Sequence, residues 1–144
     1  MRIWLLVIIT LIFCTQPLAQ NFNAKPVKGL PSDEVYDLLA DSKGFLWAAH
    51  SLGLSRFDGI NFKDFNSPDA TGLGMTDLVE DKQGRIWCHN FNGQIFYIEN
   101  ETMFLLKEYK NIEQSFYPRM AILGDELLVT TKKGLFIYNT QTLE

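Results

Sequence analysis

From about residue 29 onward, short apolar runs alternate with turn signals every 5 to 8 residues. Asp41-Ser42-Lys43-Gly44, Ser51-Leu52-Gly53, Asp58-Gly59 and the 66–74 stretch punctuate the first part of this pattern. Segments that short are strands, because helices seldom persist below about eight residues. The pattern predicts strands at 35–40, 45–50, 54–57 and 61–65, and again at 75–80, 85–90, 94–98 and 103–109. Val35, Leu38 and Leu39 have helical spacing, but the matching stretch at 119–123 is closed off by Pro118 and Gly124, which favours a strand. The leading strands are apolar on both faces: Leu38 and Leu39, then Phe45, Leu46 and Trp47. A sheet with one wet face would alternate, so these strands are expected to be covered on both sides.

The chain also repeats itself. Asp41, Gly44, Trp47 and Gly53 recur 40 residues later as Asp81, Gly84, Trp87 and Gly93. Asp37-Leu38 recurs as Asp77-Leu78. A weaker third copy places Leu128 where Trp87 stood, and Gly134 follows 41 residues after Gly93. A period near 40 composed of four short strands is the mark of a propeller blade. The fold expected is all-β: a partial β-propeller of about three four-stranded antiparallel blades, at 29–71, 72–112 and 113–144, the third incomplete. The 20–28 segment is a candidate closing strand for the last blade. The Asp-x-x-Gly spacing suits a hairpin turn with glycine in the left-handed region. Trp47 and Trp87 read as packing between blades.

Before the repeats, Arg2 precedes an apolar run from Ile3 to Phe13, and a short polar stretch ends at Ala19. This is the anatomy of a secretory leader over 1–19, the run being too short for a span of roughly 20 residues. The bulky Phe13 argues against a lipid anchor on Cys14, while an uncleaved membrane anchor stays open. Without Arg2 the chain has 12 basic against 17 acidic side chains, a net of −5. No basic run stands out, so nucleic acid is not an expected partner. Cys88 is then alone, so the domain is held by its core and not by a disulfide.

Chemistry-bearing residues are few. His50 lies three residues after Trp47 and His89 two after Trp87, so they fall on opposite strand faces of different blades. No metal site, cofactor site or catalytic residue is expected. Asp37 and Asp77 are a matched acidic pair, read as satisfying backbone groups near the turns. In a meander the loops after the second and fourth strands share one edge, and here these loops vary between copies. That edge makes His50, Asn90, Phe91, Asn92, Tyr117 and Arg119 candidate ligand contacts for a small polar or carbohydrate-like molecule.

Gly29-Leu30-Pro31-Ser32, Val35-Tyr36-Asp37-Leu38-Leu39, Asp41-Ser42-Lys43-Gly44-Phe45-Leu46-Trp47 and Gly53-Leu54-Ser55-Arg56-Phe57-Asp58-Gly59 resemble the two-component regulator propeller repeat. The second unit departs from it at Gln94, where the family favours Leu, and at Cys88-His89, where small residues are usual. The third lacks both Asp-x-x-Gly and Trp. The resemblance implies the N-terminal part of an exported, periplasmic or extracytoplasmic ligand-sensing propeller in a membrane-bound regulator. Such a regulator carries further blades, a membrane span and a cytoplasmic histidine kinase or other output module, and is dimeric. None of the kinase motifs can be placed on this chain, so it is expected not to be an enzyme. Propellers close with roughly 4 to 8 blades, which implies a fragment of a longer chain. Closure by several copies is the other route. An exported propeller serving as a binding module or enzyme scaffold, unconnected to signalling, is the competing functional reading.

Overall fold

The computed structural model describes residues 26–109 and 119–144. The expected leader, residues 20–25 and Tyr117 lie outside the described residues. Eleven strands form three antiparallel sheets among the described residues. The first sheet has the order β1 (Val35–Ala40), β2 (Leu46–His50), β3 (Gly53–Phe57), β4 (Phe62–Phe65). The second repeats it with β5 (Met75–Glu80), β6 (Ile86–Asn90), β7 (Gln94–Glu99) and β8 (Thr102–Glu108). The third contains β9 (Met120–Leu123), β10 (Glu126–Thr131) and β11 (Gly134–Asn139). These are three blades of a β-propeller. Residues 26–28 are not in a strand.

Where strand ends differ from those expected, turn chemistry is the cause. Phe45 is drawn out of β2 because its N–H donates to Asp41 Oδ1 at 2.8 Å and its carbonyl accepts from Asp41 N at 2.9 Å. Asn61 is likewise held back from β4 by Asp58 Oδ1, at 2.7 Å. The strand β8 starts one residue early because Asn100 and Glu101 alone make the β7–β8 turn, at φ 48° and 63°. A two-residue hairpin loop that matches strand twist needs a positive φ at both positions.

Strand pairing fixes the repeat in space. Trp47 pairs with Arg56, Trp87 with Tyr97 and Leu128 with Ile137, so Leu128 does occupy the tryptophan position. Side chains alternate along each strand, so one face of every sheet points forward to the next blade and the other points back. In the seam between blades 1 and 2, Trp47, Leu54 and Phe65 face forward onto Leu78, Ile86, Cys88 and Phe96. In the next seam, Trp87, Ile95 and Tyr109 face Met120, Leu127 and Val129. Burying side chains of this size contributes roughly 1.5–3 kcal/mol each. Both faces of blade 2 are therefore covered by its neighbours.

Candidate functional site

Each full motif is a hydrogen-bonded hub. Asp41 Oδ1 accepts the Lys43 and Phe45 N–H groups at 3.0 and 2.8 Å, while Oδ2 accepts the Trp47 indole N–H at 2.8 Å. Asp81 does the same for Gln83, Arg85 and Trp87, at 3.0, 3.0 and 2.8 Å. The carboxylate fixes the turn and the indole rotamer together. Gly44 and Gly84 close these turns at φ 88° and 76°, which a side chain rarely adopts.

The loop edge at the first seam is tied down by amides. Asn90, fully buried, donates to the Gly72 carbonyl at 3.1 Å and to Gln94 Oε1 at 2.7 Å. Gln94 also accepts from Thr71 N at 2.8 Å and donates to the Asp69 carbonyl at 2.8 Å. Asn92 donates to the Thr71 carbonyl at 2.8 Å. A Cβ on Gly72 would come within 2.8 Å of the Asn92 amide, and one on Gly74 within 3.0 Å of the Phe91 ring. Glycine lets the inter-blade linker and the β6–β7 turn close on each other. Asn90 and Asn92 thus hold the scaffold, and Phe91 is what the edge presents to solvent, 53% exposed. Its ring meets Tyr36 edge-on, with centroids 5.1 Å apart.

The other candidates do not converge there. His50 is buried on the backward face of blade 1. Its Nδ1 accepts the Leu52 N–H at 3.2 Å, which leaves the proton on Nε2, 2.8 Å from Ser55 Oγ. The Ser55 hydroxyl in turn donates to Asp64 Oδ1 at 2.6 Å. His50 therefore gives a hydrogen bond to Ser55 and cannot take its proton as a general base would. Burial pushes the His50 pKa below the ordinary value, a shift that Asp64 partly offsets. Arg119 sits at the second seam, its guanidinium 3.2 Å from Asp77 Oδ1. His89 Nε2 lies 3.9 Å from Asp77 Oδ2. Burial also pushes the Cys88 thiol pKa far up, so it stays protonated in the core. Among the described residues no three His, Cys, Asp or Glu side chains converge as a metal would require.

On the opposite edge, a cleft of about 370 Å³ opens between the turns of blades 1 and 2, lined by Lys43, Arg56, Gln83, Asn100 and Glu101 among others. Its strongest charges are already paired. Arg56 grips Glu101 at 2.6 and 3.1 Å, Lys63 reaches the same carboxylate at 2.5 Å, and together they hold the Glu101 pKa down to about 2.

Tyr36, Gln94 and Thr71 were not among the candidates read from the sequence. The one signal pointing to Gln94 is a polar residue at a strand position where Leu is usual.

Residues 29–51 match the family model described as two component regulator propeller. Among curated proteins no relative matches. Of the solved structures, an extracellular domain from B. thetaiotaomicron described as that of a hybrid two component system is similar at a TM-score of 0.64 and 18% identity. The match covers 81% of this chain and 16% of that one. A further structure of such a domain from the same organism, described as a one component system, gives 0.55 at 21% identity, covering 76% and 17%. Virginiamycin B lyase from Staphylococcus aureus gives 0.57 at 18% identity, covering 83% and 46%. At these identities the likeness is one of fold. The chain spans about a sixth of the length of the first two and under half of the lyase.

Proposed function

We propose that the chain is part of the extracytoplasmic sensing propeller of a longer, membrane-spanning regulator, of the two-component regulator propeller kind that residues 29–51 match. The observation that carries this reading is the family match over 29–51, on the residues that build the first hub and its inner strand. Two features support the idea of a longer chain. The similar extracellular domains are about six times its matched span. The outward faces of blades 1 and 3 also leave Leu38, Leu46, Leu123 and Ile137 exposed, where equivalent faces inside the stack are covered. The role is binding and signal relay, with catalysis absent from these blades and the output module, a histidine kinase or another, elsewhere in a dimeric parent.

The ligand-facing surface in this reading is the loop edge, where Phe91 and Tyr36 form an exposed aromatic pair held by the Asn90–Gln94 network. Its occupant would be a small polar or carbohydrate-like molecule. The likeness to a lyase favours a second reading, an exported propeller that scaffolds an enzyme site in other blades.

Reading the gene past the codon for Glu144 separates the two. A frame that continues into more repeats, a membrane span and a kinase core supports sensing. A stop codon there defeats it. In the parent protein, Phe91→Ala combined with Tyr36→Ala should abolish inducer-dependent transcription while export continues, and an unchanged response would remove the loop edge from the ligand site.

A further inference from the structure

The matched aspartates make a contact that the repeat alone does not show. Asp37 Oδ2 accepts the N–H of Leu78, in blade 2, at 2.6 Å. One repeat later, Asp77 Oδ2 accepts the N–H of Met120, in blade 3. Both carboxylates sit at or beside register irregularities in the first hairpin of their blade, and Asp77 takes φ 58° to reach across. Each seam therefore has a direction: the earlier blade supplies the carboxylate and the later blade the amide.

The two ends of the stack break this series differently. Leu38 holds the position of Leu78 and Met120. Among the described residues its N–H donates to the carboxylate of its own Asp37, at 2.8 Å, and to no carboxylate of another blade. Its side chain is 59% exposed, against 7% for Leu78 and 7% for Met120. Val35 and Leu46, on the same face, are exposed as well. At the far end, the position of Asp37 and Asp77 is held by Arg119, which reaches back to Asp77. Blade 3 thus has no carboxylate at the position where blades 1 and 2 present one, although apolar Leu123, Leu135 and Ile137 are bare on its forward side.

We propose that the bare face of blade 1, at Val35, Leu38 and Leu46, is a docking surface for a further blade of the same kind whose inner strand brings a carboxylate to the Leu38 N–H. The two seams already formed identify the occupant, because in both of them an aspartate of the preceding blade takes this backbone position and an apolar sheet covers this side chain. The forward face of a second copy does not qualify, since position 119 offers the Leu38 N–H no carboxylate and the Arg119 guanidinium is engaged with Asp77 behind it. The inference rests on the reading that further blades complete the propeller. Its test reads association, so it can fail independently of any signalling role.

Arg119→Asp in the full chain gives blade 3 the latch of blades 1 and 2, so that a second copy becomes the missing blade. An aspartate at this position already lies beside the latch carboxylate of the preceding blade in the first seam, where Asp77 follows Asp37. Sedimentation velocity over a concentration series should show self-association at least about tenfold tighter than wild type, the scale of one charge-assisted hydrogen bond. Arg119→Asn, a neutral acceptor, should give a smaller gain in the same direction, and Arg119→Ala less again. Leu38→Arg, placed on the exposed docking face, should erase the gain. Wild type associating as tightly as the Asp and Asn variants would overturn the proposal. So would equal gains from Ala and Asp, or a gain that survives Leu38→Arg.

Discussion

The two seams of this molecule bury the same repeat position in the same way, yet they are closed by different chemistry. Between blades 1 and 2 the apolar cluster is the larger, and its ion pairs lie toward solvent. Ser42 donates to Glu80 through its N–H and hydroxyl, at 2.8 and 2.6 Å, and Arg56 and Lys63 hold Glu101, whose side chain is 50% exposed. Between blades 2 and 3 the cluster is smaller, and beside the exposed pairs Arg119–Asp77 and Lys82–Asp125 one ion-paired cation is buried. Arg85, only 7% exposed, bonds Asp81 at 2.7 Å and the Thr140 carbonyl across the seam. Tyr109 and Tyr138 share a hydroxyl contact there. An exchange of residues between strands underlies the difference. In blade 1 the guanidinium of Arg56 on β3 lies 4.4 Å from the Phe45 ring, while in blade 2 Arg85 stands at the Phe45 position and covers Trp87 and Tyr97, at 5.3 and 5.6 Å. The cation–aromatic stack survives, but its cation moves from a half-open place to a closed one. Repeats conserve geometry while redistributing where solvent can compete.

That contrast can be broken by substitution. The largest effect is expected for Trp87→Ala, which leaves a void in a closed seam and costs about 3–5 kcal/mol by urea unfolding. Trp47→Ala should fall at the low end of that range, because Trp47 borders the open cleft. Equal costs would mean that the two seams are energetically alike. Next comes Arg85→Ala, expected to cost about 3 kcal/mol because it leaves the buried Asp81 short of its cation. Arg56→Ala should cost less, about 1 kcal/mol, since its partner Glu101 is half exposed and such a pair contributes little. A larger loss for Arg56 would reverse the assignment of buried and exposed fastenings.

The smallest effect is one of pH. The folded state holds the Glu101 pKa at about 2, below its ordinary value of 4.5. A carboxylate depressed on folding contributes stability that is complete above its unfolded pKa and is lost as pH falls toward the folded one. The contribution of Glu101 should therefore fade between about pH 4.5 and 2. It should be modest and weakened by salt. Glu101→Gln should flatten the stability profile in that window, and an unchanged profile would show that the clasp carries no weight.

The strands were legible because turn residues bracket them: Asp41 and Gly44, or Asp58 and Gly59, mark ends that the structure moves by only a residue. The third blade was legible from Leu128 and Gly134 in register, and the pairing of Gly134 with Thr131 does set Leu128 opposite Ile137. The aspartates were read as serving backbone groups near the turns; each serves a backbone N–H of the next blade, and Asp37 also that of its neighbour Leu38. A one-dimensional register states which residues are equivalent and not which N–H lies across a seam. The loop edge was similarly half visible. Variation marked Asn90, Phe91 and Asn92, but Gln94 acts through contacts with the 69–72 linker, more than twenty residues away. Nothing in the pattern of Tyr36, one apolar ring in a strand, announces that it meets Phe91.

The claim on which the rest depends is that each blade hands a carboxylate to the amide of the next. Amide hydrogen exchange followed by NMR tests it directly. The account predicts strong protection at Leu78 and Met120 and weak protection at Leu38, with Asp77→Ala lowering protection at Met120 while Leu78 keeps its own. Equal exchange at all three amides, or a Met120 amide indifferent to the loss of Asp77, would contradict it.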